Sequence, residues 1–208
     1  MSSPDLARAA TDPLGDRRML LAPVLRHLAA AGAAPVVLID GPSGAGKSTL
    51  ADALVAAWPG LLRPTLVRLD DIYPGWQGLD AAVVHLAEHV LAPRAAGRPG
   101  EWQRYDWARG EPAEWHAVDP ARPLIVEGCG TLAAAAAPLS DIRIWLAADD
   151  RIRKQRAFAR DGQLFKSHWE QWEEQWAAYR ERDQPERQAT IWLEGTVDIH
   201  RPEAGLRG

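Results

Sequence analysis

The chain has 208 residues, a net charge of −4 with histidine neutral, and 47% apolar against 25% charged residues. Its length predicts a single domain over 1–208 with a core large enough to need no staples, and its acidity excludes a general nucleic-acid binder, which would carry a basic excess. One cysteine, Cys129, leaves no intrachain disulfide and fits a cytoplasmic protein; the chain offers no signal-peptide core in residues 1–18 and no run of about 18 apolar residues to span a membrane.

Residues 16–32 place Met19, Leu20, Val24, Leu25 and Leu28 at helical spacing. Pro35 then precedes Val36-Val37-Leu38-Ile39-Asp40, a short β-branched run of the kind that forms a buried parallel strand. Gly41 to Lys47 reads as a turn, and Ser48 to Trp58 as a helix stopped by Pro59-Gly60. A second strand, Leu66 to Asp70, is followed by a helix over Leu79–Leu91 with Leu79, Val83, Leu86 and Val90 on one face. Residues 92–122 are rich in Pro, Gly, Arg and Trp without steady period, which predicts a long functional loop. A third strand (Pro123 to Glu127), a small helix near 131–137 and a fourth strand (Ile142 to Ala147) come next. A basic helix over about 149–161, a Trp-rich helix over about 165–183 and a last strand over 189–194 complete the chain. This alternation predicts an α/β protein of three layers, a doubly wound parallel sheet with helices on both faces. Ligands then belong beyond the carboxyl ends of the strands, where Asp40, Asp70 and Glu127 lie.

Gly41-Pro42-Ser43-Gly44-Ala45-Gly46-Lys47-Ser48 satisfies every fixed position of G-x-x-x-x-G-K-[ST], between a strand and a helix as the P-loop requires. Glycines let the backbone curl so that its N–H groups face phosphate oxygens, and the following helix adds its positive end. Lys47 is placed to reach the β- and γ-phosphates of ATP and Ser48 to offer its hydroxyl to Mg2+, with Thr49 alongside on the first helical turn. A carboxylate at Asp70 would face the same crevice, where it can hold a substrate hydroxyl or accept its proton. Glu127 stands in the place of a Mg2+-side acid, the ion taking only one or two carboxylates.

The basic helix begins with Asp149-Asp150, acids suited to a helix N-terminus. Arg153, Arg156 and Arg160 share one face of it by their spacing, and such a face can close over ATP as an Arg-rich lid, neutralising charge on the transferring phosphoryl. Trp102, Arg104, Tyr105, Trp107, Arg109 and Trp115 crowd the 92–122 segment, where rings can stack a planar substrate and guanidinium groups can hold an anion. Trp169, Trp172 and Trp176 fall at i, i+3 and i+7, a face for packing on the body or on a second subunit of a homo-oligomer. His85-Leu86-Ala87-Glu88-His89 matches a zinc-protease pattern but lacks an evident third ligand and reads as an exposed helix face. The chain has no Asn, which excludes the guanine-reading Asn-Lys-x-Asp motif and the catalytic-loop Asn of protein kinases.

The P-loop, Asp70-x-x-Tyr73, the Glu127-Gly128 strand end, Tyr105-Asp106-Trp107 and the 149–161 arginines keep the order seen in the uridine kinase branch of the uridine kinase, phosphoribulokinase and pantothenate kinase superfamily, and over about 35–165 the chain resembles that family. The resemblance implies Asp70 as catalytic base, Glu127 as a magnesium-side acid, and Tyr73 and Tyr105 as substrate contacts. Three departures stand out: Ala108-Arg109-Gly110-Glu111 replaces the His and Ser-Arg that follow the family's Tyr-Asp-Phe, the preceding Pro is missing, and Gly162-Gln163 follows Arg160-Asp161. The leading expectation is therefore an ATP- and Mg2+-dependent kinase acting on a hydroxyl of a small molecule, a nucleoside or another metabolite. The competing expectation is a nucleotide-binding module or slow ATPase that works through a protein partner docked on the Trp face.

Overall fold

A computed structural model describes residues 13–195, so 1–12 and 196–208 of the expected 1–208 domain, with most of the segment expected to carry no signal peptide, lie outside the described residues. The chain runs α1 (Pro13–Ala30), β1 (Val36–Asp40), α2 (Lys47–Ala56), β2 (Thr65–Arg68), α3 (Leu79–His85), α4 (Ala92–Ala95), β3 (Gly100–Asp106), β4 (Glu111–Val118), β5 (Leu124–Glu127), β6 (Ile142–Ala147), α5 (Asp150–Asp183), α6 (Pro185–Gln188) and β7 (Ile191–Glu194). Five strands form one parallel sheet in the order β2-β5-β1-β6-β7. The chain leaves β1 for β2 on one side and reaches β6 on the other, so the carboxyl end of β1 is the point where a crevice opens.

β1 is buried along its whole length, and its alternate residues feed two cores. Val36 and Leu38 join Val67, Leu69, Val126 and Trp145 on one face, against α3 and the Trp-bearing part of α5. Val37 and Ile39 join Leu50, Leu54, Ile125 and Ile144 on the other, against α1 and α2. A sheet covered on both faces has continuous apolar strands, which is why β1, β5 and β6 were legible as runs.

The basic and Trp-rich helices are continuous in chain but broken at Gly162, whose φ 68° and ψ −149° are non-helical. Only glycine adopts that backbone readily, so the break falls where the sequence permits it. Asp149 caps the first half by accepting from the Arg151 and Ile152 N–H groups at 3.0 and 3.1 Å. The second half buries Trp169, Trp172, Trp176 and Tyr179 in the core of their own chain; the Trp face expected for the body or a second subunit is spent on the body.

Two expectations are corrected. Residues 92–122 are not an open loop: they hold α4 and an antiparallel β3–β4 hairpin with an irregularity between Gln103 and Tyr105. Both hairpin faces are partly exposed, so neither strand shows a clean apolar alternation. The small helix near 131–137 is a series of turns ending in a 3-10 turn at Ala137–Leu139. There the Gly130 and Leu132 N–H groups donate to the Asp40 carboxylate instead of to a helical ladder. The predicted 79–91 helix changes to π-type winding over Leu86–Leu91.

Candidate active site

The P-loop leaves β1 at Asp40 and enters α2 at Lys47. Gly44 has φ +80°, and a Cβ there would sit 2.0 Å from the Arg153 carbonyl oxygen, so the loop passes the start of α5 with no room for a side chain. A cavity of about 60 Å³ lies inside the curl, lined by Ser43, Gly44, Gly46, Lys47, Ser48 and Thr49. Asp70, Glu127, Cys129 and Arg160 close it. Ala45 faces the core beneath the loop, and Gly41 contributes its carbonyl to Lys47; neither lines the cavity although both stand in the motif.

Lys47 is nearly buried, and its Nζ donates to the carbonyls of Gly41 at 2.8 Å and Pro42 at 3.1 Å and to Cys129 Sγ at 3.3 Å. Burial pulls this ammonium down, but Cys129, Glu127, Asp40 and Asp70 together outweigh it and hold Lys47 above its ordinary value. Burial raises the Cys129 thiol, with Lys47 opposing. Glu127 is buried at the end of β5; its Oε1 has no hydrogen-bond partner, and the Arg68 guanidinium is 4.0 Å away. Burial raises the Glu127 carboxyl, opposed by Lys47 and by a hydrogen bond with Ser48. A buried carboxylate oxygen left without a donor, beside the P-loop serine, is the donor set a hard divalent cation takes.

Asp70 is exposed on a 3-10 turn directly after β2, and its backbone carbonyl accepts the Trp107 indole N–H at 2.8 Å. Next to it a second cavity of about 310 Å³ opens between the hairpin, the 69–76 segment and α5. Its walls are the rings of Tyr73, Trp76, Trp107, Phe165 and Trp172. Ser43, Asp70 and Arg160 line this chamber and the phosphate cavity alike.

The remaining expected residues separate into those the structure brings to the site and those it does not. Tyr73 borders the chamber with its ring, while its hydroxyl, raised well above ordinary values by burial, donates to the Cys129 carbonyl at 2.8 Å. Trp107 borders the chamber; Tyr105 stands edge-on to Trp107 at 5.6 Å and does not line it. Arg104 is held by Glu114 across the hairpin at 2.7 Å, which with a backbone contact lowers the Glu114 carboxyl to about 2. It is therefore not turned to the chamber.

The three arginines of the lid face also diverge. Arg160 reaches both cavities. Arg156 donates to the Gly195 carbonyl after β7. Arg153 is buried, bonded to Asp150 at 2.6 Å and to Glu173 at 2.9 and 2.6 Å, and those acids hold it above its ordinary value against the effect of burial. Spacing placed the three on one face of the 149–161 helix; past the break at Gly162 the second half of α5 brings Glu173 onto Arg153.

Asp40 is the residue that sequence reading placed at a strand end without a role. Fully buried, its carboxylate accepts from the N–H groups of Gly41 (2.7 Å), Gly130 (3.2 Å) and Leu132 (2.7 Å) and from the Tyr179 hydroxyl (2.7 Å). It ties the first residue of the P-loop to the turn after β5 and to α5. Burial raises the Asp40 carboxyl, while the Tyr179 hydrogen bond is the largest influence in the other direction. His85 and His89 stack at 4.8 Å, and His85 Nε2 accepts the Gln103 N–H; no group of three metal-ligating side chains occurs among the described residues.

No family model and no curated protein matches the chain. Among solved structures it is similar to a protein from Bacillus stearothermophilus provisionally described as a uridine kinase, with TM-score 0.61 and 20% identity over 88% of this chain and 100% of that one. It is also similar to a protein from Silicibacter sp. TM1040 provisionally described as a fructose transport system kinase, with TM-score 0.51 and 19% identity over 85% of this chain and 98% of that one. The chain has the P-loop kinase fold. The three-layer architecture expected from the strand–helix alternation is the one found, and the fold is the one the uridine kinase resemblance implied. Among the described residues, no helix is long and apolar enough to cross a membrane.

Proposed function

We propose that the chain is a small-molecule kinase that moves the γ-phosphate of ATP to a hydroxyl of an acceptor held in the aromatic chamber. One observation carries this reading: the phosphate cavity and the chamber meet at Ser43, Asp70 and Arg160, so an acid and a guanidinium stand where donor and acceptor would touch. The P-loop amides and Lys47 would hold the triphosphate, and Ser48 and Glu127 would hold Mg2+, which when bound draws charge off the phosphate oxygens. Asp70 takes the acceptor's proton, and Arg160 offsets charge on the oxygens in transfer. The rings of the chamber keep water from competing with the acceptor. Both solved neighbours are described as kinases, which agrees with this reading. The module reading depended on a Trp face free for a partner, and that face is buried in the chain's own core.

The test is ADP release by purified protein across a panel of hydroxylated small molecules, followed by Asp70→Asn with the best acceptor. Loss of a general base predicts a fall in kcat of about 10²-fold or more, with the Kd for ATP nearly unchanged. Equal turnover in the variant would remove Asp70 from its role. A panel in which no compound raises ADP release above background would favour the module.

A further inference from the structure

We infer that the acceptor is a primary alcohol carried on a flat, uncharged aromatic body, an arylmethanol rather than a sugar, a sugar acid or a nucleoside. The inference rests on the kinase reading above and concerns the same site.

Among the described residues, the chamber wall is built of five aromatic side chains and three polar ones, and the three polar ones are the residues shared with the phosphate cavity. The described polar side chains of the chamber therefore stand at its phosphate end, and the rest of the described wall is ring. Of the polar atoms on those rings, all but the Trp76 indole N–H are committed or closed off. The Tyr73 hydroxyl is bonded to the Cys129 carbonyl, and the Trp107 indole N–H to the Asp70 carbonyl. Trp172 Nε1 is enclosed within the protein. Among the described residues, a ligand in this chamber finds acceptors and charged partners at the phosphate end only, and one ring donor, the Trp76 indole N–H, elsewhere.

A hexose or glycerate would bury several hydroxyl or carboxylate oxygens against hydrocarbon, and each one left without a partner weakens binding by about tenfold or more. A nucleoside brings a ribose and the edge polar groups of its base, and the described wall offers that edge a single ring donor. One hydroxyl at the mouth, on a body that otherwise offers only π-faces and edges, meets the wall without a lost hydrogen bond. Trp76 and Trp107 lie 5.0 Å apart at 60°, and Trp76 and Phe165 5.6 Å apart at 46°, so rings at several inclinations are available to a planar guest. Trp76 is itself held: His168 stacks on it at 4.6 Å and 9°, and Gln175 donates to its carbonyl at 2.7 Å. Asp70 and Arg160, the charged side chains of the described wall, stand at the phosphate end, so a charge on the guest's body would lie against rings alone.

In the reaction the alcohol oxygen forms a bond to Pγ while the bond from Pγ to the β,γ-bridging oxygen of ATP breaks. The hydroxyl proton passes to Asp70, and ADP leaves with the bridging oxygen.

Two measurements test the inference. The first compares benzyl alcohol and 2-naphthylmethanol with uridine, fructose, glycerate and choline for ADP release. The second measures binding of the same compounds by calorimetry in the presence of Mg2+ and a nonhydrolysable ATP analogue. The inference predicts that an arylmethanol gives the highest kcat/KM and the tightest binding, and that Trp76→Ala raises its KM about tenfold with little change in kcat. Any of the other four compounds exceeding both arylmethanols in kcat/KM would overturn the inference and leave the kinase reading standing. Arylmethanols that bind but never raise ADP release would sustain the chamber's ligand class and overturn the kinase reading. Arylmethanols that fail to bind would overturn the inference whatever the rate assay gives.

Discussion

Tyr179→Phe removes one oxygen and leaves the ring that α5 buries. The lost hydroxyl is a donor to Asp40 Oδ2 at 2.7 Å, and Asp40 is fully buried. Three backbone donors remain on that carboxylate, so it is weakened rather than orphaned. A hydrogen bond to a charged buried group contributes about 1.5–3 kcal/mol, and taking about 2 kcal/mol as the loss predicts a fall in Tm of about 4–8 °C for a chain of this size. The pH dependence has a definite sign. Burial places the folded Asp40 pKa above its unfolded value, so the native state binds the extra proton and this group's contribution to stability is lost as pH rises through the folded pKa. Removing Tyr179's hydroxyl raises the folded pKa further, because that bond favours the charged form. The Tm gap between wild type and variant should therefore be full above the folded Asp40 pKa and narrow as the pH falls below it. Melting curves followed by circular dichroism at pH 7.5 and at mildly acid pH measure both effects. A variant whose Tm equals that of wild type at pH 7.5, or whose deficit grows toward acid, would refute the staple.

Arg153→Ala and Arg160→Ala should separate. Arg153→Ala leaves Glu173 and Asp150 without their cation and should cost about 2–4 kcal/mol of stability, read as Tm, whereas Arg160→Ala should lower kcat about 10²-fold. Gly44→Ala should abolish tight ATP binding, because a Cβ would lie 2.0 Å from a backbone oxygen at a φ of +80°; calorimetric titration with ATP and Mg2+ reads it, and wild-type affinity would contradict the loop geometry.

The parallel sheet and the P-loop were legible because both depend on local pattern. A strand buried on two faces shows as a β-branched run, and a loop that must turn its amides inward needs glycines at set intervals. The aromatic chamber was not legible, since Trp76, Trp107 and Phe165 come from segments far apart in the chain and meet only after folding. The pairing of Arg153 was not legible for a related reason: helical spacing placed it beside Arg160, but its partner Glu173 lies 20 positions on, past the break at Gly162. The hairpin escaped notice because an exposed two-stranded ribbon imposes no alternation. Asp40 carried a signal that position alone supplied, an acid as the last residue of a fully buried strand, where unpaired carboxylates are rare.

Equilibrium titration of wild type and Lys47→Ala with ATP and Mg2+ tests the central claim most directly. If the curl of residues 41–48 and its lysine grip the polyphosphate, wild type binds with a Kd in the micromolar range and the variant binds about 10²-fold more weakly, as loss of a buried charge–phosphate contact requires. Equal affinity in the two proteins would place the nucleotide elsewhere.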